Sequence, residues 1–449
     1  MEPIVTVDTG ALRGVSVGCV QHFLGVPYAR ASRFSEPQPP QAWSGVRDAT
    51  EHGPICPQPP PPLERVMGRP PRVLVQDEDC LTLSVATPCT DDRRRPVMVW
   101  LHGGAYVVGS GSSDWYRPGS LVGEGDVVVV RANYRLGVFG YLRMPGVSPA
   151  NLGVMDQVAA LRWVQRNIAA FGGDPGRITV FGESAGAHSV ATLMSTAETR
   201  GLFHRAILQS GHLGVGFTTH ATAVRVAQLF EGALGGVDPR TASVAQLLSA
   251  QQAIMVRMSR PAGMNSTPAF GPIAGEAPIA HATGLLDSPP RFHAGTDLVI
   301  GSTREEMRAF FESNPAIVRL RRVPGLGKRA LDALTARVTR RIFGAPAAQL
   351  ADAQARAGAD VYRYRFDWSP PQGGFGACHT IDLPFVLGDR EAWGEAPMLG
   401  STPWETIDAL GRQMRRAWTS FAHHGDPSHE GREIWPRHRP GDGVGRVFA

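Results

Sequence analysis

The 449-residue chain contains very little lysine, few cysteines and no long uninterrupted apolar stretch. Lys328 is the only lysine, so arginine carries almost all of the net charge of +5. The arginines are spread along the sequence, and their two clusters, 93–95 and 319–341, are not interleaved with aromatic residues that could stack on bases. We therefore expect no binding to nucleic acid. Because Pro324 and Gly325 interrupt the second cluster, we interpret it as a solvated lid or surface helix.

No apolar run is long enough to span a bilayer, and the first ten residues lack the basic and apolar regions of a secretory leader. We therefore expect a cytoplasmic protein with no membrane partner, unless a leader precedes this sequence. An apolar share of 43% and a charged share of 19% are ordinary for a folded globular protein.

Metal-ligating patterns are also scarce. The five cysteines are an odd number and include no C-x-x-C pair, which argues against a zinc site or a redox centre. His423 and His424, with His429, lie near the end of the chain, but no carboxylate spacing completes a ligand set. We interpret these histidines as part of a solvated loop and expect neither a metal nor an organic cofactor.

From about residue 97 onward, short apolar runs alternate with segments of helical periodicity. Runs that are apolar on both faces are typical of strands in a buried parallel sheet, and their alternation with helices predicts an α/β fold. One helix is predicted for Val154–Phe171, where Gly172 and Gly173 end it. The predicted strands are Val97–Leu101, Val127–Val130, Ile178–Phe181, Ala206–Leu208, Leu298–Ile300 and Val361–Phe366.

Other segments predict additions to this sheet. Residues 4–26 alternate apolar and polar around tight turns, which predicts short N-terminal antiparallel strands. Pro54 to Pro71 contains four consecutive prolines, so we expect a surface loop without helix or central strand. Residues 212–290 and 313–345 break the rhythm, and we interpret them as insertions that shape the active-site entrance. No linker is visible, so residues 1–449 are expected to form a single catalytic domain.

A G-x-S-x-G sequence places Ser184 directly after the apolar run 178–181 and before a helical pattern, 185–194. This context is typical of a nucleophile elbow, the sharp strand-to-helix turn that exposes a serine hydroxyl above a sheet. Gly182 and Gly186 fit the turn because side chains there would crowd the neighbouring backbone. The pattern therefore predicts Ser184 as the nucleophile of an acyl-transfer reaction.

A second signal follows the predicted strand Val97–Leu101. His102, Gly103 and Gly104 match the loop whose backbone N–H groups receive a developing oxyanion, together with the N–H after the nucleophile. We therefore assign Gly103, Gly104 and Ala185 to the oxyanion hole. His102 is expected to orient this loop rather than to act as the base.

A neutral serine hydroxyl is a poor nucleophile, so it needs a base and an acid that orients the base. In this fold the acid follows the serine in the chain, and the histidine comes last. Glu305 and Glu306 both follow the predicted strand Leu298–Ile300, and spacing alone leaves the choice between them open. His379 follows a glycine-rich loop after the strand Val361–Phe366 and is the best placed of the 14 histidines. The histidines that lie in or beside predicted elements, and so have structural interpretations, are His188, His204 and His212.

Together these residues resemble the type-B carboxylesterase and cholinesterase family, and within it the bacterial para-nitrobenzyl esterases. The resemblance runs from about Gly10 to Pro436 and implies an α/β-hydrolase fold, in which a large, mostly parallel central sheet is flanked by helices, with a helical insertion over the active site. The matching stretches are 23–29, 78–83, 102–104, 133–135, 171–175, 182–186, 209–211 and 379–385.

The resemblance also implies residue roles. The family pattern G-x-x-x-[DE]-E-G aligns its second carboxylate with Glu306, which makes Glu306 the triad acid and Glu305 the alternative, although Met307 replaces the usual glycine. By the same resemblance, Cys56 and Cys80 correspond to the family's first disulfide. A cytosolic protein would keep these thiols reduced, so the sequence does not decide whether Cys56 and Cys80 form a disulfide.

Two further features follow from the resemblance. Arg33 is expected to pair with Glu78. The loop between Cys56 and Cys80 has no aromatic residue, unlike the choline-binding loop of cholinesterases, so cation–π recognition of choline is not supported there.

The sequence thus predicts a serine carboxylesterase that hydrolyses small-molecule esters through a Ser184–His379–Glu306 triad and an acyl-enzyme. We expect a monomer. Two alternatives remain: a non-catalytic adhesion-type protein, which the intact triad argues against, and an acyl transferase with an acceptor other than water.

Overall fold

The protein is described here from a computed structural model. It describes residues 2–258, 268–280, 285–286, 293, 295–311, 317, 319, 327–373, 375–428 and 434–449. Pro324, Gly325 and His429, which figured in the sequence predictions, lie outside these residues.

A ten-stranded sheet forms the centre of the fold, in the order β13-β12-β11-β10-β9-β7-β8-β6-β4-β3, and β1, β2 and β5 form a separate small sheet. All neighbours from β8 through β7 to β13 are parallel, whereas β8, β6, β4 and β3 pair antiparallel. The strands are β1 Ile4–Val7, β2 Gly10–Arg13, β3 Val15–Val17, β4 Val20–Pro27, β5 Val46–Asp48, β6 Thr82–Thr87, β7 Arg95–Leu101, β8 Val128–Ala132, β9 Gly173–Glu183, β10 Arg205–Gln209, β11 Asp297–Thr303, β12 Val361–Phe366 and β13 Arg446–Phe448.

Helices flank the sheet. The α-helices of the described residues are Glu64–Met67, Gly119–Gly125, Gly137–Tyr141, Leu152–Asn167, Ala185–Met194, His220–Leu234, Val244–Met258, Arg308–Phe311, Gly327–Thr339, Ala345–Arg356, Leu383–Val386, Arg390–Trp393 and Trp404–His424, with a π-helical turn at Arg340–Gly344. Among the described residues, no helix combines the length and the apolar content needed to cross a bilayer.

Strand β7 explains why the central runs are apolar at every position. Val97, Val99 and Leu101 pack into one hydrophobic cluster, and Met98 and Trp100 pack into another. Successive side chains of a strand point to opposite faces, so a sheet covered by helices on both sides needs apolar residues throughout. This arrangement confirms the predicted buried parallel strands.

The predicted N-terminal antiparallel strands are confirmed, and they divide between two sheets. β1 and β2 pair in the small sheet, whereas β3 and β4 extend the central sheet as its antiparallel edge. The predicted helix after the nucleophile has the predicted bounds, Ala185–Met194.

Two predictions about loops were wrong. The proline-rich segment 54–71 contains a one-turn helix, Glu64–Met67, because Val66 and Met67 bury their side chains and no proline falls within that turn. His423 and His424 end the long helix Trp404–His424 instead of lying in a loop, because the apolar face of that helix stays buried up to Ala422.

The segments predicted as insertions are largely helical where they are described. Residues 212–290 contain His220–Leu234 and Val244–Met258, and 313–345 contains Gly327–Thr339. The latter helix buries Leu331 and Thr335, so it packs one face against the protein, as a surface helix does.

Candidate active site

The loops that follow β7 and β9 meet because these strands are parallel neighbours with Leu101 opposite Gly182. Ser184 follows β9 directly and has φ 56° and ψ −120°, a backbone conformation that is unusual for a residue with a side chain. Its N–H donates to the Gln209 carbonyl and its carbonyl accepts from the His188 N–H, each at 2.9 Å. Neighbouring backbone therefore holds the strained turn, as expected of a nucleophile elbow.

The glycines around Ser184 are required by close approach of backbone. A Cβ at Gly186 would lie 1.9 Å from the Leu101 carbonyl oxygen, and one at Gly182 would lie 2.6 Å from the Gly186 carbonyl carbon. The elbow is thus pressed against the end of β7, which brings the two loops together.

Ser184, His379 and Glu306 form a continuous chain of hydrogen bonds. His379 Nε2 lies 2.8 Å from Ser184 Oγ, and His379 Nδ1 lies 2.5 Å from Glu306 Oε2. The other carboxylate oxygen of Glu306 accepts from the Thr303 N–H at 2.7 Å. Since Nδ1–H donates to the carboxylate, Nε2 is left to accept the serine proton. Glu306 and His379 are buried, at 0% and 2% exposed.

Glu305, the alternative acid, points elsewhere. Its carboxylate pairs with Arg308 at 2.8 Å and accepts from the Ala377 N–H at 3.1 Å. Met307 replaces the family glycine without strain, because its φ is not positive, and its side chain joins the small hydrophobic cluster that contains Phe343.

The three backbone N–H groups predicted to form the oxyanion hole have no partner among the described residues. None of the N–H groups of Gly103, Gly104 and Ala185 donates a hydrogen bond to another described residue. Gly103 is adjacent to the elbow, since a Cβ there would lie 3.2 Å from Ser184 Cβ. At Gly104, with φ 116°, a Cβ would lie 2.0 Å from the Val108 carbonyl oxygen, so only glycine fits the loop.

His102 does not reach the triad. Its Nδ1 lies 2.7 Å from the Gly103 carbonyl, and its ring stacks on Tyr134 at 4.3 Å. Burial lowers the pKa of His102 to about 4, so the ring is neutral and braces the loop, as predicted.

Glu183, which the sequence reasoning did not single out, is a second carboxylate next to His379. Glu183 Oε1 lies 3.2 Å from His379 Nε2 and has no hydrogen-bond partner among the described residues. Its position in G-E-S-A-G, directly before Ser184, could have indicated a role in the site. However, successive side chains of a strand point to opposite faces, so the sequence predicts that Glu183 points away from Ser184. The positive φ of Ser184 breaks this alternation, so the side chains of Glu183 and Ser184 can both reach His379.

Burial and charge act against each other at this cluster. Burial raises the pKa of Glu183 to about 8, although the charge of His379 opposes the rise. Burial lowers the pKa of His379, but Glu183 and Glu306 outweigh it and raise the pKa to about 9. A proton on Glu183 removes one of the negative charges that favour the protonated form of His379, so the Glu183 carboxyl influences the protonation of His379.

Two phenylalanines lie against the His379 ring. The ring of Phe310 is 5.2 Å from that of His379, and the ring of Phe343 is 5.4 Å away. Phe343 is buried, whereas Phe310 is exposed on one side. The segment 313–345 therefore contributes to the surroundings of His379 through Phe343.

Cys56 and Cys80 lie side by side as free, buried thiols. Contact with Cys56 is the largest of the effects that raise the pKa of Cys80, and burial adds to it. Next to them, the predicted pair is present: Arg33 Nε donates to Glu78 Oε2 at 2.9 Å.

The carboxylesterase family model matches residues 1–323 and 324–443 of the chain. A probable N-octanoylanthranilate hydrolase of Rhodococcus erythropolis is 45% identical over 442 residues, which cover 97% of this chain and 95% of that protein. The para-nitrobenzyl esterase of Bacillus subtilis is 36% identical over 465 residues, covering 96% and 92%. The structure of a thermophilic para-nitrobenzyl esterase superposes with a TM-score of 0.85 at 34% identity, covering 98% of this chain and 94% of the other.

Proposed function

The chain belongs to the carboxylesterase family and is a serine carboxylic ester hydrolase, and on that premise we propose that Ser184, His379 and Glu306 are its nucleophile, base and acid. The observation that carries this assignment is the position of the His379 ring, with Nε2 at 2.8 Å from Ser184 Oγ and Nδ1 at 2.5 Å from Glu306. We expect no cofactor to be needed.

In the proposed reaction, His379 removes the Ser184 proton as Oγ attacks the ester carbonyl. Glu306 stabilises the imidazolium that forms, because its buried carboxylate is adjacent to Nδ1. His379 then gives the proton to the departing alcohol, which leaves an acyl group on Ser184. Water, deprotonated by the same imidazole, hydrolyses this acyl-enzyme and restores the serine.

The oxyanion of each tetrahedral intermediate needs donors that are already in place. The N–H groups of Gly103, Gly104 and Ala185 are proposed to supply them, since all three are unpaired among the described residues, Gly103 lies next to the elbow and Ala185 follows Ser184 in the chain. Removing one such donor typically costs about 2.7–4 kcal/mol of transition-state stabilisation. The backbone conformations at Gly104 and Ser184 are what aim these groups.

Short-chain p-nitrophenyl esters test the assignment. A burst of nitrophenol is expected from the unmodified enzyme, and kcat should fall by about 10⁴-fold or more in Ser184→Ala and in His379→Ala. His424→Ala, at the exposed end of a helix, is the matched control and should keep its activity. Hydrolysis that survives Ser184→Ala would contradict the proposal.

A second candidate concerns the substrate. The Rhodococcus relative is named for hydrolysis of N-octanoylanthranilate, and its 45% identity over nearly the full length of both chains favours related substrates here. Its name places the acyl group on nitrogen, so the bond broken is an amide. We therefore propose that this chain accepts medium-chain acyl groups on an aromatic leaving group. Measuring kcat/KM for N-octanoylanthranilate and p-nitrophenyl octanoate tests it, and no turnover of either substrate would overturn it.

We further propose a single domain spanning residues 1–449 that acts as a monomer in the cytoplasm on small molecules, without nucleic acid. Light scattering of the purified protein tests the oligomeric state, with an expected mass near 48.2 kDa. Twice that mass would contradict the monomer.

A further inference from the structure

Three side chains with rings, none of them part of the triad, lie together beside the Ser184 elbow. Tyr106 lies two residues after Gly104, His188 lies one helical turn after Ser184, and His212 follows the end of β10. The rings of His188 and His212 stack at 4.8 Å with an interplanar angle of 8°, and Tyr106 meets the edge of His212 at 6.2 Å. The cluster therefore lies between the oxyanion loop and the nucleophile helix.

A buried hydrogen-bond chain holds this cluster in place. Gln157 Nε2 donates to Ser189 Oγ at 3.1 Å, and Ser189 Oγ donates to the Tyr106 hydroxyl at 3.3 Å. The Tyr106 hydroxyl is then left to donate to His188 Nδ1, 2.7 Å away, which puts the His188 proton on Nε2. Networks of this kind, buried throughout, fix ring orientation.

His188 is committed to this scaffold. Burial lowers the pKa of His188 to about 4, opposed by the Gly216 backbone near its ring. Phe217 also contacts the His188 ring, in an edge-on geometry at 5.8 Å. His188 is therefore a positioning residue whose flat face supports His212.

His212 is the member of the cluster that is open to a ligand. It is half-buried, and its ring nitrogens make no hydrogen bond with any described residue. Burial, with the nearby His188 and His379, holds the pKa of His212 well below its usual range. A neutral imidazole offers one N–H donor and one acceptor, and leaving such a group partly buried and unpaired is unfavourable. The influence of His379 on His212 places this ring within electrostatic reach of the base.

We propose that His212 forms a polar subsite beside Ser184 and donates a hydrogen bond to an acceptor oxygen of the substrate, an inference that rests on the proposed function. The enzyme should therefore favour esters with an ether, carbonyl or carboxylate oxygen near the scissile bond. Geometry supports this proposal. His188 stacks on one face of the His212 ring and Tyr106 contacts the ring in an edge-on geometry, so the ring nitrogens of His212 have a fixed direction. Binding by a fixed ring avoids the entropy of ordering a free side chain.

Matched ester pairs test the subsite. On the acyl side, p-nitrophenyl methoxyacetate is compared with p-nitrophenyl butanoate, which replaces the ether oxygen by CH₂; on the alcohol side, 2-methoxyethyl acetate is compared with butyl acetate. The ratio of kcat/KM within each pair is measured for the unmodified enzyme, His212→Phe, His212→Asn and the control His220→Phe, an exposed histidine of the neighbouring helix. The ratio cancels the concentration of folded enzyme, and comparing the ratio between variants cancels the difference in intrinsic reactivity between the two esters.

In His212→Phe, which keeps an aromatic ring to stack on His188 but no nitrogen, the ether-to-methylene ratio should fall about three- to tenfold in at least one pair. His212→Asn, which retains a donor and an acceptor, should keep more of the ratio, and His220→Phe should leave it unchanged. A fall in one pair identifies the acyl or the alcohol side as the contact.

A change below twofold in both pairs, or equal losses in the phenylalanine and asparagine variants, would overturn the subsite. Hydrolysis remaining in Ser184→Ala would instead count against the proposed function, so the two failures are distinguishable.

Discussion

Glu183 Oε1 lies 3.2 Å from His379 Nε2, the same nitrogen that lies 2.8 Å from Ser184 Oγ. One nitrogen of His379 thus faces both Ser184 and a buried carboxyl group, and its other nitrogen faces Glu306. Two carboxyl groups around one imidazole make the pH dependence of the enzyme a direct consequence of this geometry.

Replacing Glu183 with glutamine should move the acidic limb of the kcat/KM profile to lower pH. His379 acts as a base only when it is unprotonated, and the negative charge of Glu183 favours its protonated form. Removing that charge lowers the pKa of His379, so activity should persist to a pH lower by about one unit. The measurement is kcat/KM against pH with a p-nitrophenyl ester. An unchanged or higher midpoint would refute the coupling, and Glu305→Gln serves as the control.

Glu306→Gln should reduce kcat far more than Glu305→Gln, by about 10³- to 10⁴-fold, because only Glu306 reaches His379 Nδ1. An amide at 306 still fits the space but favours the wrong imidazole tautomer. Glu305→Gln breaks the pair with Arg308 at the protein surface and should cost less than tenfold. If the ranking of the two variants were reversed in steady-state kinetics, the acid would be Glu305.

Gly186→Ala should abolish esterase activity and destabilise the fold by about 1–3 kcal/mol or more, since its Cβ would lie 1.9 Å from the Leu101 carbonyl oxygen. Gly232→Ala is the matched control, because that helical glycine has open space around it and alanine should raise stability by about 0.5–1 kcal/mol. Urea unfolding and ester hydrolysis measure both. An active Gly186→Ala enzyme would mean that the elbow is not pressed against β7.

Asp156→Asn should destabilise the protein by about 3–5 kcal/mol, because it leaves the buried Arg135 guanidinium without its counter-charge. Arg135 Nη2 lies 2.7 Å from Asp156 Oδ1, and the two side chains are 5% and 0% exposed. Asp8→Asn, whose partner Arg166 is 50% exposed, is the comparison and should cost less than about 1 kcal/mol. Equal shifts of the chemical unfolding midpoint in the two variants would show that the buried pair contributes no more than the exposed one.

Apolar periodicity was sufficient to predict the central strands, since a segment buried on both faces, such as residues 97–101 of β7, needs apolar side chains at every position. The nucleophile elbow could also be predicted from the sequence, because crowding by neighbouring backbone allows only glycine at position 186. Spacing alone did not separate Glu305 from Glu306. Adjacent loop residues point in different directions, and only their partners, Arg308 and Thr303, show which carboxylate turns inward.

Contacts between segments that are distant along the chain could not be predicted from the sequence. The stacking of His188 on His212 depends on β9 and β10 being neighbours in register, and neither histidine carries a local pattern that signals the other. The one-turn helix within the proline-rich segment depends in the same way on a buried site for Val66. Long-range packing decides such features after the local propensities have been satisfied.

Covalent labelling with a fluorophosphonate, followed by peptide mass spectrometry, tests the central claim most directly. We expect one label per chain, on the peptide that contains Ser184, with no label in Ser184→Ala and labelling slowed by orders of magnitude in His379→Ala. Labelling of a different residue, or an undiminished rate of Ser184 labelling without the His379 imidazole, would contradict the account.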